Sequence, residues 1–293
     1  MKTEKIRGII PPMVTPFLLD ESLDIETLKR EVGRLLGAGV DGLSFGGSTG
    51  EGALLRDEEL ERGVRAIRAE AGADVPILCG IIRNCTRDGI SAAQAAKAGG
   101  ADCLMVTPTY YHGTDDAGNL AYYDAVYKAS TMPIVIYNVI KTNPILPTLI
   151  PALCENPGLI GVKQAVGGVH AVADMVMACK GRLTVFAAQD DVMYLSYLAG
   201  AQGAISAILT LFPKECVDQW HAVCEGDIAH ARAINDRMLP VWRNIEGGAF
   251  PGRIKTALKL KGVDIGNARS PILKTDADTE ARIAAALKEN GFI

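Results

Sequence analysis

Apolar and β-branched residues gather in eight short runs along the chain, at 8–15, 41–46, 76–81, 102–106, 133–137, 159–163, 183–187 and 203–207, each closed by glycine, proline or a polar residue. Such runs read as strands. Between them, apolar positions recur at helical spacing, as from Ile25 to Leu36, Glu58 to Glu70, Ile90 to Ala98 and Ala171 to Ala178. These segments are long enough for the crossovers that parallel strands require. Runs such as Ile77-Leu78-Cys79-Gly80-Ile81-Ile82 and Pro133-Ile134-Val135-Ile136-Tyr137 are nearly continuous in apolar residues, as expected of parallel strands covered on both faces. The alternation predicts an α/β fold, a (β/α)8 TIM barrel. A doubly wound open sheet would alternate in the same way, but Gly46-Gly47-Ser48-Thr49-Gly50 has the wrong spacing for a dinucleotide-binding turn. After about residue 210 the strand signal stops, and helical patterns run from Pro213 to Cys224, His230 to Asn244 and Arg253 to Lys261. The barrel is assigned to residues 1–224, and residues 225–293 to a C-terminal helical extension serving packing or subunit contact.

Composition narrows the function classes. A chain of 293 residues with 48% hydrophobic content supports one large core. Its net charge of -4, with Lys and Arg scattered, argues against nucleic acid or an anionic membrane surface as partner. No apolar run approaches the roughly 20 residues of a membrane span. The N-terminal MKTEKIRGII has neither a long apolar stretch nor a small-residue cleavage site, so a cytoplasmic protein is expected. Seven cysteines without CxxC spacing read as buried free thiols in a reducing compartment. Four histidines without metal-ligand spacing imply no metal.

In barrels of this type chemistry is built at the C-terminal ends of the strands and in the loops that follow. Lys163 closes the run Leu159-Ile160-Gly161-Val162 and is therefore expected at that face. Desolvation there disfavours the ammonium form and suits an amine that attacks a ketone to form a Schiff base. The competing reading is a strand-end lysine paired with a carboxylate. Tyr137 ends the preceding strand and offers a phenol for proton transfer, or else a packed aromatic with a wet tip. Ser48 and Thr49, after Gly47, lie in a glycine-flanked turn whose hydroxyls and amides suit a carboxylate, or simply cap a helix.

The order and spacing of Gly46-Gly47-Ser48-Thr49-Gly50-Glu51, Val106-Thr107-Pro108-Thr109-Tyr110-Tyr111, Tyr137-Asn138-Val139 and Gly161-Val162-Lys163-Gln164 resemble the N-acetylneuraminate lyase and dihydrodipicolinate synthase family of Schiff-base (β/α)8 enzymes, over roughly the whole chain. The resemblance implies Lys163 as the Schiff-base lysine and Tyr137 as the proton-transfer phenol. It implies Gly47, Ser48 and Thr49 around the carboxylate of a 2-oxo acid such as pyruvate. Tyr110 would join a proton relay across a subunit interface, which implies a homo-oligomer, a dimer or tetramer. No cofactor is implied.

Departures bear on the second substrate. Ile140 stands where the synthases carry a proline, and Thr142 where they carry an arginine that binds a carboxylate. Asp190 and Asp191 match an acidic pair that contacts the polyol tail in the lyases, although they also read as the N-cap and first turn of a helix toward Tyr197. Ala165 and Ala207 replace hydroxyl residues of those lyases. The expectation is thus a Schiff-base lyase similar to N-acetylneuraminate lyase. The alternatives are dihydrodipicolinate synthase, a 2-keto-3-deoxy sugar acid dehydratase or aldolase, and a catalytically weak 2-oxo acid binding protein.

Overall fold

Strands and helices alternate through most of the chain in a computed structural model that describes residues 6–293. In chain order they are β1 (Gly8–Ile9), α1 (Ile25–Gly37), β2 (Leu43–Phe45), α2 (Asp57–Ala71), β3 (Ile77–Ile81), α3 (Thr86–Gly99), β4 (Cys103–Val106), α4 (Asp116–Ser130), β5 (Ile134–Asn138), α5 (Ile150–Leu153), β6 (Leu159–Gln164), α6 (Gly168–Cys179), β7 (Thr184–Ala187), α7 (Met193–Leu198) and β8 (Gly203–Ala204). Four longer or shorter helices precede the last one: α8 (Ile208–Leu211), α9 (Pro213–Glu225), α10 (Ile228–Ile245) and α11 (Phe250–Leu260), followed by α12 (Ala277–Glu289).

All strand pairs are parallel, in the order β1-β8-β7-β6-β5-β4-β3-β2. Hydrogen bonds from Ser44 N to Pro11 O (3.0 Å) and from Met13 N to Ser44 O (2.8 Å) join the two ends of that order. The sheet closes into the (β/α)8 barrel that the apolar pattern predicts.

Two strands are shorter than their apolar runs. β1 keeps only two residues of 8–15, because Pro11 and Pro12 have no N–H to donate to a ladder. β8 keeps two of 203–207, because the chain turns after Ile205 into α8.

Strand parity sorts the side chains into two layers. Leu104, Val106, Ile134, Ile136 and Val162 face the helices. Cys103, Met105, Val135, Tyr137, Phe186 and Ile205 pack together inside the barrel. Tyr137 is in register with Lys163, and Lys163 with Phe186, so the lysine has the inward parity. The helices bind the outer layer through apolar stripes. On α1, which Asp24 caps by accepting the Thr27 amide, Leu28, Val32 and Leu35 are fully buried. Each such side chain contributes roughly 1.5–3 kcal/mol.

Beyond β8, α10 packs on α9, α12 and α7, while α11 packs on α12 and α8. Among the described residues no helix is long and apolar enough to cross a membrane. Residues 1–5, part of the N-terminal segment read against an export signal, lie outside the described residues. Cys79, Cys103, Cys179 and Cys216 are buried as expected, whereas Cys85 and Cys154 are half-buried and Cys224 is exposed.

Candidate active site

The turn after β2 depends on close backbone approach. The carbonyl oxygen of Gly46 lies where a Cβ on Gly52 would be 1.6 Å away, and a Cβ on Gly80 of β3 would be 2.3 Å away. Only hydrogen fits at either position. Within the turn, the Glu51 amide donates to Ser48 O (3.1 Å) and the Gly52 amide to Gly47 O (2.9 Å). The Thr15 hydroxyl holds Gly50 O at 2.6 Å. Among the described residues the amides of Ser48 and Thr49 find no acceptor, which leaves them for a bound anion.

Lys163 lies opposite this turn in the barrel mouth. It is only 4% exposed, and its Nζ stands 3.8 Å from the centroid of the Tyr137 ring. Among the described residues no carboxylate lies within ion-pair distance of it, so the competing reading of a paired strand-end lysine does not hold. The ring face suits a positive charge on that nitrogen, whether ammonium or iminium. The Tyr137 hydroxyl donates to Ser48 Oγ at 2.9 Å, joining the β5 phenol to the β2 turn.

The residues that follow these two side chains hold the loops. Asn138 donates to Ile145 O and to Gln164 Oε1, both at 2.8 Å, and accepts the Ile145 amide at 2.9 Å. Gln164 donates to Val166 O at 2.7 Å. Strands β5 and β6 are thereby locked together just past the lysine and the phenol.

Asp190 and Asp191 part company. Neither caps the helix toward Tyr197, since the N-cap of α7 is Val192 and takes no side-chain bond. Asp190 Oδ1 instead accepts the Ser206 hydroxyl at 2.5 Å and the Ile208 amide, the first of α8, at 2.8 Å. Burial pushes its carboxyl up to about 6, against the pull of those two donors and of the Lys163 charge. Asp191 turns away to Arg243 of α10, at 3.0 Å.

A cavity of about 240 Å³ collects Ser48, Thr49, Tyr137, Lys163 and Asp190. Gly47, Tyr110 and Asp191 are not among its lining residues. Tyr110 lines a neighbouring apolar cavity of about 450 Å³ that shares Ser48 with the first. Asn84 Oδ1 fixes the tyrosine loop by accepting the amides of Tyr110 (3.0 Å) and Tyr111 (2.9 Å). Thr142 is exposed, and among the described residues its hydroxyl reaches only Tyr110 O, at 3.5 Å. Ala165 and Ala207 do line the Lys163 cavity, and beside them Ser206 supplies a hydroxyl one position before the expected one.

Sequence reasoning missed the far wall. Trp242 from the end of α10, Glu246 and Gly247 from the connection that follows it, and Phe250 from the start of α11 complete the cavity. Residues 225–293 thus do more than pack against the barrel. The signal available was Gly247-Gly248 between two amphipathic helices. Among the described residues Lys163 is the only Lys or Arg in the lining, against two carboxylates, Asp190 and Glu246, of which Glu246 is paired with Arg243 at 2.9 Å. Among the described residues no three His, Cys, Asp or Glu side chains converge as a metal-ligand set.

Residues 5–290 match the family model of the dihydrodipicolinate synthetase family. A 4-hydroxy-tetrahydrodipicolinate synthase of Cereibacter sphaeroides is 33% identical over 98% of this chain and 100% of its own. An uncharacterized DapA-like lyase of Halobacterium salinarum is 32% identical, covering 98% of this chain and 95% of the relative. Among solved structures, the prophage protein YagE from E. coli K12, described as belonging to the dihydrodipicolinic acid synthase family and crystallised with pyruvate, superposes with a TM-score of 0.92. It is 29% identical and covers 98% of this chain and 99% of its own.

Proposed function

The chain belongs to the dihydrodipicolinate synthetase family, a family of lysine Schiff-base lyases, and from that premise we propose that it acts on 2-oxo acids through an imine on Lys163, with pyruvate as donor or product. One observation carries this reading. Lys163 is buried, has no carboxylate partner among the described residues, and shares its cavity with a phenol and with a turn presenting unpaired amides.

The steps follow from that arrangement. The carboxylate of the 2-oxo acid sits on the Ser48–Thr49 turn, which aims the adjacent ketone carbon at Nζ. The neutral amine adds to that carbon, and the resulting carbinolamine loses water to leave a protonated imine. Tyr137, hydrogen-bonded to Ser48, passes the protons that addition and dehydration require. The imine then accepts the electron pair released when the bond beyond Cα breaks, or supplies it as an enamine when that bond forms. The Tyr137 ring holds the positive charge in between. Tyr110 takes part from a neighbouring subunit of a homo-oligomer, which fits its place outside the Lys163 cavity of its own chain.

For the second substrate, the names of the relatives favour the synthase over a neuraminate lyase, reversing the order drawn from the motif residues. One feature favours a second reading, a 2-keto-3-deoxy sugar acid as substrate. Among the described residues the cavity lining holds no cation beyond Lys163, and Arg243 nearby is already paired with Glu246 and Asp191, so a neutral hydroxylated tail is better met than a second carboxylate.

The test is borohydride reduction with pyruvate, followed by peptide mass mapping. Mass added at Lys163 is expected, and labelling elsewhere or nowhere sinks the reading. The same preparation is then offered pyruvate with aspartate semialdehyde, and separately 2-keto-3-deoxy sugar acids. Faster condensation with the semialdehyde supports the synthase, and faster cleavage or dehydration of the sugar acids supports the second reading.

A further inference from the structure

The Ser48–Thr49 turn is anchored from the C-terminal helices by a buried ion pair that no motif suggests. Lys255 of α11 places Nζ 2.7 Å from Glu51 Oε1, and also donates to the carbonyls of Thr15 (2.7 Å) and Asn267 (2.8 Å). The other carboxylate oxygen of Glu51 accepts the Arg269 amide at 2.8 Å. The two charged side chains are 2% and 0% exposed. Every hydrogen-bonding direction of the ammonium group is occupied, and both oxygens of the carboxylate are used.

Such a pair is weak evidence for stability, because desolvating two charges offsets most of their attraction. Its geometry points to another role. Glu51 has φ 57°, in the left-handed region that side chains other than glycine seldom adopt. The residue that ends the turn is therefore held in an unfavourable backbone conformation, and the contacts that hold it come from residues 255 and 269. From Glu51 the constraint passes directly to the site: its amide fixes Ser48 O at 3.1 Å, and Ser48 Oγ accepts the Tyr137 hydroxyl at 2.9 Å. Thr15 closes a second path, since its carbonyl accepts Lys255 while its hydroxyl grips Gly50 O.

We propose that Glu51 and Lys255 are positioning residues for the 2-oxo acid carboxylate, so that the C-terminal helices set the affinity for pyruvate. This rests on the reading of Ser48 and Thr49 as the carboxylate site. Neither charge is needed for the chemistry at Lys163, so the effect falls on binding more than on the imine-forming step.

The experiment compares full-length wild type with Glu51→Gln, Lys255→Met and the double variant carrying both changes. The readouts are the pyruvate concentration giving half-maximal borohydride inactivation, the inactivation rate at saturating pyruvate, and the melting temperature. Half-saturation is expected to rise about tenfold or more in each variant, with the saturated rate falling much less, as for a misplaced binding group. Lys255→Met leaves a buried carboxylate without its cation and can prevent folding. The double variant removes both charges and keeps similar volumes, so it decides the matter in that case. Folded variants with wild-type half-saturation and only a lower melting temperature overturn the proposal while leaving the proposed function intact. Absence of labelling in the wild type overturns the reading of the site and the proposal with it.

Discussion

Asp190 sits beside the Lys163 nitrogen's cavity with a carboxyl that burial has pushed up to about 6 from an ordinary 3.8, although Ser206, Ile208 and Lys163 all favour its ionised form. The folded protein therefore holds this proton more tightly than the unfolded chain. The stabilising contribution is fully present below the unfolded value and is lost as pH rises through the folded one. A shift of this size is on the order of 3 kcal/mol. Asp190→Asn keeps an Oδ1 acceptor for both donors but carries no charge. Its melting temperature, measured against wild type, is expected to gain steadily between about pH 4 and about pH 7. A difference that does not change with pH would refute this. At this scale Lys163 and Tyr137 are legible in the sequence because each ends an apolar run inside a distinctive motif. Their direction is not. In a parallel strand both faces are apolar, so no alternation tells which residues face inward. Ser206 escaped because it stands in a run of small residues where a one-position slip changes the side chain in question.

The β2 turn shows what an element demands of its neighbours. Gly80 belongs to β3, yet an alanine there would place its Cβ 2.3 Å from Gly46 O and 2.7 Å from Gly47 N. Backbone must move, and the backbone concerned carries Ser48 and Thr49. Gly80→Ala is expected to cost about 1–3 kcal/mol in denaturant unfolding, as overpacking usually does, and to raise the pyruvate concentration for half-maximal borohydride inactivation. Gly33→Ala is the control. It lies exposed on α1, its Cβ would meet nothing within 4 Å, and it should stabilise by up to about 1 kcal/mol. Equal behaviour of the two variants would show that the turn tolerates the displacement. The existence and order of the strands were legible from the apolar runs, while the ends of β1 and β8 were not, because an apolar side chain is equally at home in a strand and in the buried segment that continues it. For α10 and α11 the helical period marks which face is buried. It carries no information about what lies against that face, so Trp242, Glu246 and Phe250 could not be assigned to the barrel mouth.

On the scale of the whole molecule, the proposed relay makes each site depend on more than one chain. Tyr110 is 36% exposed and Tyr111 78% exposed, with Leu54 and Leu146 also partly bare, and Tyr110 borders an apolar cavity next to Ser48. A closed dimer or tetramer that buries these residues and completes the relay is the expected assembly. Sedimentation with parallel activity measurements on dilution tests it: activity should fall as the assembly dissociates, and a fully active monomer would contradict the relay. The eightfold repeat was readable at this scale because each βα unit repeats the same change from strand to helix period. The contacts that tie its first quarter to its last helices were not readable, since nothing in Glu51 or Lys255 marks the other as its partner across 204 positions.

That separation also orders events in time. During synthesis the chain emerges from its N-terminus, so the β2 turn, Tyr137 and Lys163 all exist before the residues that hold Glu51 in place. Tyr137 and Lys163 are made well before the residues that hold Glu51, which arrive only with positions 255 and 269. On the proposed reading, a nascent chain that stops short of α11 carries Lys163 without the contacts that hold the turn meant for the acid. On the proposed reading, competence waits for α11 and the segment that follows it.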